Sequence, residues 1–97
     1  MAHVFEGDDT AYLEWLKDHP GSFVVNVHRQ PRDAYAVLHR SSCPHIQSER
    51  LIPGAYTERG YKKLWAQTVD DARGWLQIEF KDRTADFTKP CGLCNPI

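Results

Sequence analysis

Apolar and polar positions along the chain alternate in two periods, and the period changes mark its elements. After Asp8-Asp9-Thr10, Tyr12, Trp15 and Leu16 recur at helical spacing, with Glu14, Lys17 and Asp18 on the opposite face. Cap-competent residues stand before this stripe and His19-Pro20-Gly21 after it, so a helix is predicted between them. Phe23 to His28 is rich in β-branched residues and reads as a strand. Ala34 to His39 reads as a second strand, joined to the first by a polar loop short enough for an antiparallel hairpin. Period-two alternation puts Tyr35, Val37 and His39 on one face of it.

Pro44, Pro53, Gly54 and Gly60 punctuate residues 40–60, which are predicted to be irregular. Tyr61 to Ala66 alternates again and predicts a third strand. Thr68, with Asp71 three residues on, resembles a capping box, and Val69, Ala72, Leu76 and Phe80 form a second helical stripe despite Gly74. Lys81 to Pro90 is polar, and Cys91-Gly92-Leu93-Cys94 lies near the end of the sequence. The expected fold is α+β: a small antiparallel sheet of a hairpin plus a third strand, with two helices, forming one domain over residues 1–97.

Composition sharpens this picture in two ways. With 12 basic and 13 acidic residues the formal charge is −1, which excludes a generally basic nucleic-acid binder but not a local basic face. A chain of 97 residues buries a modest core, and domains of this size often need a staple. No apolar run approaches a membrane span, and the first residues lack the pattern of a secretory signal. A cytoplasmic, reducing environment is the expectation, and in it three cysteines are more useful as metal ligands than as a disulfide with one left over.

Cys91-x2-Cys94 is the strongest local signal. Two thiolates at this spacing chelate one metal through a tight turn, which Gly92 eases. A redox dithiol is the competing reading. It requires a helix after the first cysteine to depress its pKa, and Pro96 follows at once. A tetrahedral zinc needs two further ligands. Cys43 is the remaining thiol, and His39, four residues before it at the end of the second strand, is the preferred fourth, with His45 and His28 as rivals. Three thiolates with one Zn²⁺ would move the formal charge from −1 to about −2, leaving His39 neutral.

Leu38-His39-Arg40-Ser41-Ser42-Cys43, taken with Lys89-Pro90-Cys91-Gly92-Leu93-Cys94-Asn95-Pro96, resembles the zinc-binding domain of Ada-type alkylation-repair proteins. Related zinc modules, some of them tails of nucleases, are similar. The resemblance covers the two ligand segments and their order, and the helix predicted from Thr68 to Phe80 stands before the second, as it requires. It implies zinc held by His39, Cys43, Cys91 and Cys94. In the family the first ligand is a cysteine that accepts a methyl group from a DNA phosphotriester. Here it is His39, and a zinc-bound imidazole is not a thiolate nucleophile. The resemblance therefore implies a structural zinc module, of a kind whose relatives often contact DNA, rather than an alkyl acceptor.

Two further constellations bear on function. Tyr56 to Trp65 interleaves aromatics with Arg59, Lys62 and Lys63, and Arg40 adds a charge beside the first ligand pair. Arg40, Arg59, Tyr61, Lys62 and Lys63 are thus the candidates for contact with DNA or RNA, cations on phosphate and aromatics on bases. The competing reading is a half-buried strand with solvated lysines and a core Trp65. Asn26, His28, His39 and His45 also suggest a small nuclease site, although no carboxylate is patterned with them. Asp8-Asp9 is better explained by helix capping. The expected function is a non-catalytic zinc module that binds nucleic acid. A zinc-stabilised protein-interaction module is the alternative.

Overall fold

A computed structural model describes residues 2–28, 35–43, 46, 57, 60–92, 94 and 96. In chain order the elements are β1 (Ala2–Phe5), α1 (Asp9–Asp18), β2 (Phe23–His28), β3 (Ala36–Arg40), β4 (Tyr61–Ala66), α2 (Val69–Glu79) and β5 (Lys89–Pro90). This is the expected α+β architecture with two helices. The sheet is larger than the expected hairpin plus one strand: among the described residues it has five strands in the order β1-β4-β2-β3-β5. The pairs β1/β4, β4/β2 and β2/β3 are antiparallel, and β5 runs parallel to β3.

Both helices start where their cap residues dictate. The Asp8 carboxylate accepts from the Ala11 amide at 3.0 Å, and the Thr68 hydroxyl accepts from the Asp71 amide at 3.1 Å. Tyr12 and Leu16, four apart, are the buried face of α1, and Ala72 and Leu76 are that of α2. α1 ends at His19, whose amide returns to the Leu16 carbonyl. The following Gly21 takes a φ of 80°, a conformation that lacks penalty only without a Cβ.

The sheet is covered on both sides. Val25, Val27, Ala36, Leu38, Leu64 and Ala66 pack with Ala72 and Leu76 of α2. Phe5, Val24, Val37 and Trp65 pack with Tyr12 and Leu16 of α1, and Cys43, Ile46 and Cys91 belong to this second cluster. The expected irregular stretch over residues 40–60 falls mostly outside the described residues. Beyond Cys43 the described members include Ile46, which accepts the Tyr12 hydroxyl on its carbonyl at 2.8 Å, and Thr57, which is bound to Asp9 through its amide and its hydroxyl.

β4 lies between β1 and β2, with Phe5↔Lys63 on one side and Asn26↔Lys63 on the other. An interior strand whose two faces both meet a helix buries every second residue on each side. The same-face rows on the α1 side therefore run His3–Trp65–Val24–His39, then Phe5–Lys63–Asn26–Val37, then Tyr61–His28. Among the described residues no helix is long and apolar enough to cross a membrane.

Candidate metal centre

His39 is the fourth residue of β3 and shares the α1 side with Val37. Strand pairing holds it opposite Val24. After Arg40 the chain turns: the Ser41 amide donates to the Ser22 carbonyl at 2.9 Å and the Cys43 amide to the Arg40 carbonyl at 3.0 Å. This tight turn folds Cys43 back toward the sheet face that carries His39.

The second pair of ligands arrives by a different route. Thr88 clamps the start of β3, its amide donating to the Ala36 carbonyl at 2.8 Å and its hydroxyl accepting from the Ala36 amide at 3.0 Å. β5 continues in parallel, Lys89 opposite Val37 and Pro90 opposite Leu38. The Cys91 amide then donates to the Leu38 carbonyl at 2.8 Å, which sets Cys91 beside His39. Arg40 fixes the last ligand: its amide donates to Cys94 Sγ at 3.3 Å and its Nε to the Cys94 carbonyl at 3.0 Å.

One ligand atom from each of His39, Cys43, Cys91 and Cys94 lies within 4.8 Å of every other. The Cys43 and Cys91 sulfurs are 3.9 Å apart. That is far beyond a disulfide bond length of about 2.05 Å. It is close to the edge of a zinc–sulfur tetrahedron, about 3.8 Å for bonds of about 2.3 Å. His39, Cys43 and Cys91 are buried and Cys94 is partly so. Three thiols and an imidazole in this arrangement can hold a metal ion and are compatible with a structural zinc site. Among the described residues no other such group is found.

The rivals for the fourth ligand part company here. His28 sits at the far end of β2, its ring 4.7 Å from Tyr35 and 5.1 Å from Tyr61. His45 lies outside the described residues. The suggested nuclease grouping is not assembled among the described residues: Asn26 accepts from Lys63 at 2.6 Å, and His39 stands with the cysteines. The dithiol reading of Cys91 and Cys94 lacks its helix, since among the described residues none follows Cys91.

The expected nucleic-acid residues are also dispersed. Arg40 and Tyr61 are exposed. Lys62 and Lys63 are buried, against both the basic-face expectation and the solvated-lysine alternative. The reason is the interior position of β4. Lys62 turns toward α2 and pairs with Glu79, and Lys63 turns toward the α1 side and donates to Asn26. Burial pulls the Lys63 pKa from 10.5 down to about 8, against the opposing attraction of Asp9. Arg59 lies outside the described residues.

Sequence reasoning missed the ring group beside the metal cluster. Trp15 stacks on His3 at 5.0 Å and on His19 at 4.1 Å, and Trp65 meets both Trp15 and His19 edge-on. His19 and Trp15 at i and i+4 on α1 were a visible signal. His3 was not, because β1 is too short to show alternation. In comparisons with known proteins, no family model, no curated protein and no solved structure matches the chain.

Proposed function

We propose that this chain is a zinc-stapled module in which one Zn²⁺, held by His39, Cys43, Cys91 and Cys94, is structural rather than catalytic. The 3.9 Å separation of Cys43 and Cys91 sulfurs carries this reading, because buried thiols held at that distance suit a shared cation. Bound there, zinc keeps the three sulfurs as thiolates and ties the C-terminal segment to β3. Four protein ligands fill the coordination sphere and leave no position for water or substrate. The Arg40 amide is already aimed at Cys94 Sγ, a hydrogen bond that strengthens when the sulfur is a thiolate. The order β3, first ligand pair, α2, second ligand pair is also the order the Ada-type resemblance implies. The test is metal analysis of purified protein beside His39→Ala and Cys43→Ala.

Single-stranded nucleic acid is the second reading, and one observation favours it. Tyr61 is 36% exposed at the start of β4 and its ring lies against His28, a platform on which a base can stack. Arg40 is exposed beside the metal cluster, at the opposite end of β2 from Tyr61, with its Nε on the Cys94 carbonyl. A titration with single-stranded oligonucleotide over a range of salt tests it: affinity that falls with salt is expected, and no binding at low salt rejects it.

A further inference from the structure

Val4, Trp75 and Ile78 are three of the four large apolar side chains left exposed among the described residues, and they gather at one edge of the sheet. β1 ends the sheet, and among the described residues no strand pairs with its outer side. Val4 stands opposite Leu64, so it lies on the face that α2 covers. Arg73 and Gln77 mark one flank of α2: they reach Asp86 and the Ala85 carbonyl, on the chain that leads into β5. Trp75 follows Arg73 by two residues, about 200° round the helix. It therefore lies on the opposite flank, toward β1, which α2 also contacts. Ile78, three residues on, extends that flank outward. An apolar strip thus runs beside an open row of backbone N–H and C=O groups, the pattern that accepts an added strand.

The two ends of the sheet differ in what they admit. β5 is two exposed residues, Lys89 and Pro90, and its shortness, its lysine and its proline all block strand addition. β1, Ala-His-Val-Phe, has no proline, lysine or acidic residue. A second copy can therefore add only through its own β1. Such a contact is isologous and closes at two copies instead of growing into a fibre. A twofold axis perpendicular to the sheet keeps both α2 helices on one side, so facing residues must belong to the same sheet face. Centring the axis on Val4 sets Val4 against Val4 and His3 against Phe5. Centring it on His3 would set imidazole against imidazole and leave Val4 against Ala2. With a formal charge of −1 per chain, two copies repel each other little. We propose that the chain forms a twofold dimer in which β1 pairs antiparallel with β1 of a second copy, covering Val4 and turning Trp75 of each copy toward the other. The pairing uses no metal ligand and is independent of the zinc and nucleic-acid readings.

Sedimentation of the full chain from about 10 μM to about 1 mM tests it, together with amide hydrogen exchange at both ends of that range. A monomer–dimer equilibrium is expected, with the β1 amides better protected at the higher concentration. Val4→Lys sets like charges opposite each other at the axis and should weaken dimerisation at least about ten-fold. Trp75→Ala should weaken it in the same direction. Both sites are exposed, so circular dichroism should match the parent, and Trp75→Ala carries the comparison if Val4→Lys fails to fold. A monomer across the whole range, which leaves the edge to a strand of another protein, would overturn the proposal. So would species larger than a dimer, or folded variants that dimerise as tightly as the parent.

Discussion

Lys63 and Asn26 face each other across β4 and β2, and the lysine Nζ donates to the amide oxygen at 2.6 Å beneath a covered sheet face. Burial lowers the lysine pKa to about 8, and Asp9 opposes that shift. Between about pH 8 and 10.5 the folded lysine has lost its proton and the unfolded one keeps it. Proton uptake on unfolding means that stability rises with pH through this window. The gap corresponds to at most about 3 kcal/mol. Chemical denaturation of parent and Lys63→Met from pH 7 to 10.5 should show this rise in the parent relative to the variant. Parallel curves would mean that Lys63 is not buried as a charge.

Lys62, one residue earlier, meets Glu79 on the other side of the same strand. Removing one partner leaves the other partly buried charge uncompensated, so Glu79→Ala should cost stability, roughly 1–3 kcal/mol. Lys62→Ala should do likewise and leave oligonucleotide affinity unchanged, because Lys62 does not reach the surface. Tyr61→Ala has the opposite profile: little loss of stability, and, if the base-stacking reading holds, weaker oligonucleotide binding by about 1–3 kcal/mol. Equal loss of affinity in Lys62→Ala and Tyr61→Ala would place the basic stripe back on the surface.

α2 is attached through Leu76 and Ala72, both fully buried against β2 and β4. Leu76→Ala should lower unfolding free energy by about 2–5 kcal/mol. Tyr12→Phe removes the hydroxyl that reaches the Ile46 carbonyl and should cost about 1–2 kcal/mol. Urea unfolding monitored by circular dichroism measures both. A cost below about 0.5 kcal/mol for Leu76→Ala would contradict the packing of α2 on the sheet.

The helices and three of the strands were legible because each is a run with its own period and its own cap, as at Asp8 and Thr68. The four residues of the candidate metal cluster were legible because the cysteine count left a tetrahedron one ligand short and His39 stood at the right end of a strand. β1 and β5 were not legible. β5 is two residues, Lys89 and Pro90, and what defines it is Thr88 clamping Ala36, a long-range backbone contact with no local pattern. Missing β1 had a consequence: without it β4 looks like an edge strand, and Lys62 and Lys63 look free to meet solvent. Pairing on both sides is what buries them.

The central claim is that four side chains from β3, the turn after it and the C-terminal segment share one zinc. Mass spectrometry of the native protein, with elemental analysis, tests it most directly. The account predicts one zinc per chain, lost or sharply weakened in His39→Ala and in Cys43→Ala, and unfolding of the parent when a chelator removes the metal. Metal-free protein with unchanged stability, or a His39→Ala variant that keeps full zinc affinity, would contradict it.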